Sequence, residues 1–144
     1  MYDRILFPTD GSDGAEAALE HAIEHAVAYD ATLEVLYVIE ETLPVLEAGA
    51  PDVLDALEKQ GETVLEDARE RANKAGVESV QASIAGGSPY RQILEYIDDR
   101  DIDLVVMGTH GRRGIDRYLL GSVTEKVVRT ASCPVLTVRA PKPD

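Results

Sequence analysis

The chain has 144 residues, with 27 acidic against 14 basic side chains and a formal net charge of −13. Its length suits one domain with its own core, and 44% apolar residues make it globular. The charge argues against nucleic acid as a partner. No apolar run approaches the roughly 20 residues of a membrane span, and the single cysteine, Cys133, excludes an internal disulfide or a multi-cysteine metal site.

Only four of the basic residues are lysines. Two readings of the acidity stand side by side: an ordinary acidic protein, or halophilic adaptation, in which dense carboxylates hold hydration and salt screens their repulsion. The scarcity of lysine favours the second. Met1-Tyr2-Asp3-Arg4 runs straight into an apolar segment, which leaves no room for a signal peptide and leads us to expect a cytoplasmic location.

Strand and helix patterns alternate along the chain. Arg4–Pro8 is a short apolar strand. Asp13 opens a helix with Glu16 three residues on, a capping-box spacing, and its apolar face is Ala15, Ala18, Leu19, Ala22, Ile23 and Ala26. Thr32–Ile39 is a second strand, and a loop with Pro44, Gly49 and Pro51 follows. Asp52–Ala75 reads as a long helix with Leu54, Leu57, Val64, Leu65, Ala68 and Ala72 on one face. Gly61 weakens its middle and Gly76 stops it. Val77–Ala85 is a third strand. Ser88 caps a helix that has Pro89 at its first position and runs to Asp99. Asp103–Met107 is a fourth strand, Ser122–Thr130 the last helix, and Pro134–Arg139 the last strand.

Strands alternating with helices mean crossover units. The fold class is therefore α/β, a five-stranded parallel sheet in a three-layer sandwich with helices on both faces. One domain is expected over 1–140, with a flexible tail at 141–144. Pro134 at the start of the last strand suits a sheet edge. An exposed edge should be covered or paired, which leads us to expect a dimer through 134–139.

Two loops carry the chemistry. Gly108-Thr109-His110-Gly111, nine residues, then Gly121-Ser122, lie between an apolar strand and a helix start. Such a loop aims backbone N–H groups at an anion, and the helix start adds its partial positive charge. The hydroxyls of Ser122 and Thr124 are further donors, and Arg112, Arg113 and Arg117 add cations to an otherwise acidic chain. The second loop, Pro8-Thr9-Asp10-Gly11-Ser12, follows the first strand. In open α/β sheets, ligands sit beyond the carboxyl ends of the strands. If strands 1 and 4 are neighbours, both loops border one crevice. Asp10 is then placed to accept from a ribose hydroxyl or to hold a divalent cation. No Walker-type loop, no G-x-G-x-x-G after the first strand and no G-x-S-x-G elbow occurs.

The pattern Gly108-x2-Gly111-x9-Gly121-Ser122, with Asp10 after strand 1 and Val38 near the end of strand 2, resembles the ATP-binding branch of the universal stress protein family. The likeness extends over nearly the whole chain, including Gly87-Ser88-Pro89 and Pro134-Val135-Leu136. It implies a Rossmann-like sheet in order 3-2-1-4-5, a homodimer through strand 5, and ATP in the crevice, carried with Mg²⁺. By matching position, Pro8, Thr9 and Asp10 would border the nucleoside. Val38 would contact adenine and Met107 would line the site. Gly108, Gly111, Gly121, Ser122, Val123 and Thr124 would take ribose and phosphates. The implied role is a stress-response switch that changes shape or protein partner with its nucleotide. No general base is evident, so hydrolysis should be slow at most.

Each of these residues also has a plainer reading. Ser122 with Glu125 is a capping box. The glycines permit turns, Asp10 can form one, and the arginines can be a solvated patch. His110 has no evident catalytic partner and reads as a hydrogen-bonded loop residue. His21 and His25 make a weak two-ligand pair toward a polar helix face, and Cys133 has no activating neighbour. A nucleotide-free dimeric interaction module is the alternative function. An ATP-using enzyme on the same scaffold is a third, and its S-G-G-x-D-S or H-I-G-H signatures are absent.

Overall fold

A computed structural model describes residues 1–40, 51–110 and 120–140. The elements in order are β1 (Arg4–Thr9), α1 (Asp13–Tyr29), β2 (Thr32–Glu40), α2 (Pro51–Ala75), β3 (Val80–Gly87), α3 (Pro89–Asp99), β4 (Leu104–Gly108), α4 (Ser122–Thr130) and β5 (Val135–Val138). The strands form one parallel sheet in the order β3-β2-β1-β4-β5. This is the expected fold class and strand order. β1 is central, with Ile5 paired to Leu33 of β2 on one side and to Leu104 of β4 on the other.

Two cores follow from the strand period of two. Ile5 and Phe7 of β1, Leu33, Val35, Tyr37 and Ile39 of β2, and Leu104 and Val106 of β4 share one face with α1 and α2. Leu6, Leu36, Val105 and Met107 point the other way, against Ile93 and Ile97 of α3 and Val127 of α4. The six α1 residues expected to face inward are all buried. Gly61 has a reason that its low helix propensity hides. A Cβ there would come within 2.8 Å of the Tyr37 ring, so the glycine lets α2 settle onto β2.

Three local expectations are corrected. The α1 cap is Ser12, whose Oγ accepts from the Ala15 N–H, and Asp13 is the first helical residue. Glu16 bonds Arg71 of α2 at 2.9 Å instead of reaching back to a cap. The α4 cap is Gly121, so Ser122 is not the cap, and Glu125 pairs with Arg129 at 2.6 Å. In both helices the true cap lies one residue earlier than the carboxylate spacing suggested. The third strand starts at Val80, not Val77, because the Val77 N–H closes the end of α2 by donating to the Ala72 carbonyl at 3.0 Å. Gly76 makes that reversal possible at φ +105°. The expectations for the loop at 41–50 and the tail at 141–144 fall outside the described residues.

Candidate functional site

β1 and β4 are neighbours, so the loops after them open on the same crevice at the carboxyl edge of the sheet. The first loop folds on its own side chains. Thr9 Oγ1 accepts from the Gly11 N–H at 3.0 Å, and Asp10 Oδ1 accepts from the Ser12 N–H at 2.9 Å. Asp10 thus helps shape the turn and is half-buried.

The second loop closes through the backbone. Thr109 N–H donates to the Val138 carbonyl at 3.0 Å, which continues the β4–β5 ladder. Gly121 N–H donates to the Thr109 carbonyl at 2.7 Å, which returns the chain to its point of departure. Thr124, 3% exposed, donates its hydroxyl to the Gly108 carbonyl at 2.8 Å. These contacts fix the start of α4 against the end of β4. The N–H groups of Ser122, Val123 and Thr124 belong to the first helical turn, where no intrahelical acceptor exists.

Pro8 is buried in β1. Val38, expected to contact adenine, and Met107, expected to line the site, lie on the α3–α4 face of the sheet with Val123, which was expected at the ribose and phosphates. Gly108 closes on α1, where a Cβ would sit 2.9 Å from the Gly14 carbonyl oxygen. Gly111 and Arg112, with Arg113 and Arg117, lie outside the described residues.

The remaining candidates have structural roles. His110 Nδ1 bonds Thr109 Oγ1 at 3.1 Å, and His25 Nδ1 bonds the His21 carbonyl at 2.8 Å. Among the described residues no group of three or more His, Cys, Asp or Glu side chains converges on a cation position. Cys133 is half-buried, and burial pushes its thiol pKa up, against nucleophilic reactivity. No helix among the described residues is long and apolar enough to cross a membrane.

Sequence reasoning did not single out Gly14, Tyr90 or Lys126. Gly14 had a signal: glycine is unfavourable inside a helix, so one there indicates a close approach. The Tyr90–Lys126 contact had none, because it is made between two helices.

The fold and crevice define a Rossmann-like α/β protein whose paired loops face the carboxyl edge of a parallel sheet. The model of the "Universal stress protein family" matches residues 1–139, and the chain belongs to that family. It is 37% identical over 146 residues to universal stress protein MJ0531 of Methanocaldococcus jannaschii, covering 99% of this chain and 85% of that one. Among solved structures it resembles MJ0577 (TM-score 0.88, 30% identity, 99% of each chain). It also resembles a universal stress protein in complex with cAMP (TM-score 0.78, 29% identity, 97% of this chain and 99% of that one).

Proposed function

We propose that this protein binds ATP in the crevice between the loops after β1 and β4 and acts as a nucleotide-dependent stress-response switch in the cytoplasm. The observation that carries this reading is the bond from the Gly121 N–H to the Thr109 carbonyl, which holds the first turn of α4 at the mouth of the crevice. Backbone N–H groups so placed suit phosphate oxygens. Pro8, Thr9 and Asp10 border the nucleoside, Val38 contacts the adenine, Met107 lines the site, and Gly108, Gly121, Ser122, Val123 and Thr124 hold ribose and phosphates. Gly111 and Arg112 complete the phosphate contacts.

The crevice also suits magnesium carried on the phosphates. Asp10 supplies one hard carboxylate there, and the described residues offer no all-protein cage. Mg²⁺ prefers such an arrangement, one or two carboxylates with substrate phosphates and water. The sequence shows no evident general base paired with an attacking water, so turnover on this reading is slow at most and the output is a change of shape or protein partner. The edge strand β5 pairs with its copy in a homodimer over 134–139.

A second reading is a nucleotide-free dimeric interaction module. It draws on Gly108, whose missing Cβ is already explained by its contact with Gly14. Calorimetry with Mg-ATP at low and molar KCl separates the two. Saturable binding near one nucleotide per chain, with GTP much weaker, supports the switch. Absence of binding by folded protein in both salts leaves the module. Light scattering that gives a monomer at physiological salt removes the dimer.

A further inference from the structure

Lys126 lies on α4 one turn beyond Ser122, about 6 Å along the helix axis. Its ammonium rests 4.5 Å from the ring centroid of Tyr90 on α3. The ring is held in turn: it packs on the same core as Val38 and Val123, and Arg91 Nε donates to its hydroxyl at 3.2 Å. Among the described residues Lys126 makes no ion pair, although the chain has 27 acidic side chains. The adjacent carboxylate, Glu125, is taken by Arg129. A cation here is thus held on a neutral π face one turn into α4, and among the described residues no carboxylate pairs with it.

We propose that Lys126, held ready by Tyr90, reads the length of the phosphate chain and makes the site select a nucleoside triphosphate over a monophosphate. This rests on the nucleotide reading above. Ser122 and Lys126 lie only about 40° apart around the helix, so both face the same side. An exposed cation–π contact is weak beside a charge-assisted bond to phosphate. When a polyphosphate occupies the first turn of α4, the ammonium leaves the ring and takes a distal phosphate oxygen. A monophosphate ends short of it. The four-carbon stem makes this a rotamer change needing no backbone movement.

The test is calorimetry of the full chain with Mg-ATP and with AMP, for wild type, Lys126→Gln and Lys126→Arg, across a range of KCl. Lys126 is exposed, so the variants should fold, and thermal melts check this. Lys126→Gln should weaken ATP about tenfold, leave AMP within about twofold, and lower the salt dependence of ATP binding by about one ion. Lys126→Arg should restore most of the loss. An unchanged ATP affinity in Lys126→Gln, or an equal loss for AMP, overturns the proposal and leaves the nucleotide reading standing. Wild-type protein that binds neither nucleotide overturns both.

Discussion

Gly14 and Gly108 face each other where the first turn of α1 crosses the end of β4. A Cβ on Gly108 would meet the Gly14 carbonyl oxygen at 2.9 Å, and a Cβ on Gly14 would meet the His110 carbonyl oxygen at 2.8 Å. Both obstacles are backbone, which cannot move aside as a flexible side chain does. The start of α1 and the exit of β4 are therefore locked at a spacing only glycine allows, and that contact sets the two loops of the crevice beside each other. Gly108 serves architecture first.

Gly121 is different. It caps α4 at φ −62° and ψ 156°, a backbone conformation open to any residue. Gly108→Ala should destabilise the protein by about 1–3 kcal/mol through overpacking. Gly121→Val should keep the fold and lose nucleotide binding. Urea unfolding and calorimetry on the two variants check this. Stability lost at Gly121 and retained at Gly108 would reverse the assignment.

Thr124→Val preserves shape and deletes the hydroxyl that bonds the Gly108 carbonyl at 2.8 Å. The carbonyl then loses a buried donor, at a cost of about 1–2 kcal/mol. The start of α4 should also loosen from β4. Hydrogen exchange should quicken at Gly121 and Glu125, whose N–H groups are bonded at the start of α4, with the amides of β1 unchanged.

At the opposite end of the sheet, Glu34 of β2 is fully buried. Its Oε1 accepts from the Tyr96 hydroxyl at 3.0 Å and from Arg100 Nη1 at 3.5 Å, and Arg4 Nη1 stands 3.8 Å from Oε2. The two arginine side chains are 46% and 42% exposed, so solvent screens much of their attraction. What weighs most is the buried acceptor for Tyr96, which ties α3 to the sheet. Glu34→Ala should cost about 2–3 kcal/mol, and Glu34→Gln less because it can still accept from Tyr96. Equal losses in urea unfolding would shift the weight onto charge.

Two tyrosines titrate in opposite directions. The hydrogen bond and positive charge of Arg91 favour the Tyr90 phenolate and lower its pKa. Burial chiefly disfavours the Tyr96 phenolate and raises its pKa, and the nearby Glu34 adds to this. In a spectrophotometric titration Tyr90→Phe should remove tyrosinate signal from below the ordinary phenol range and Tyr96→Phe signal from above it. Because Tyr96 is more easily kept protonated in the folded state, its contribution to stability is present below its unfolded pKa. It is lost as pH rises through the folded value. An early signal that survives in Tyr90→Phe would place the acidic phenol elsewhere.

The sequence by itself determined the alternation of strands and helices, the inward face of α1, and the edge position of β5. These follow from local periodicity and chain punctuation, which need no knowledge of distant contacts. It also determined the family, because the spaced glycines lie in a fixed order between strand and helix. The cap of α3 at Ser88 was legible in the sequence, whereas the caps of α1 and α4 were shown only by the structure. Ser12 and Gly121 take that role, one residue before the positions the carboxylate spacing suggested, while Glu16 reaches across to Arg71 of α2 and Glu125 pairs with Arg129 within α4. The tertiary structure decided that Gly61, Gly14 and Gly108 are spaces for another element's atoms, since what a missing Cβ would strike lies far away in the chain. It also placed Lys126 on Tyr90. That contact joins α3 and α4, and no periodicity within either helix encodes the distance between them.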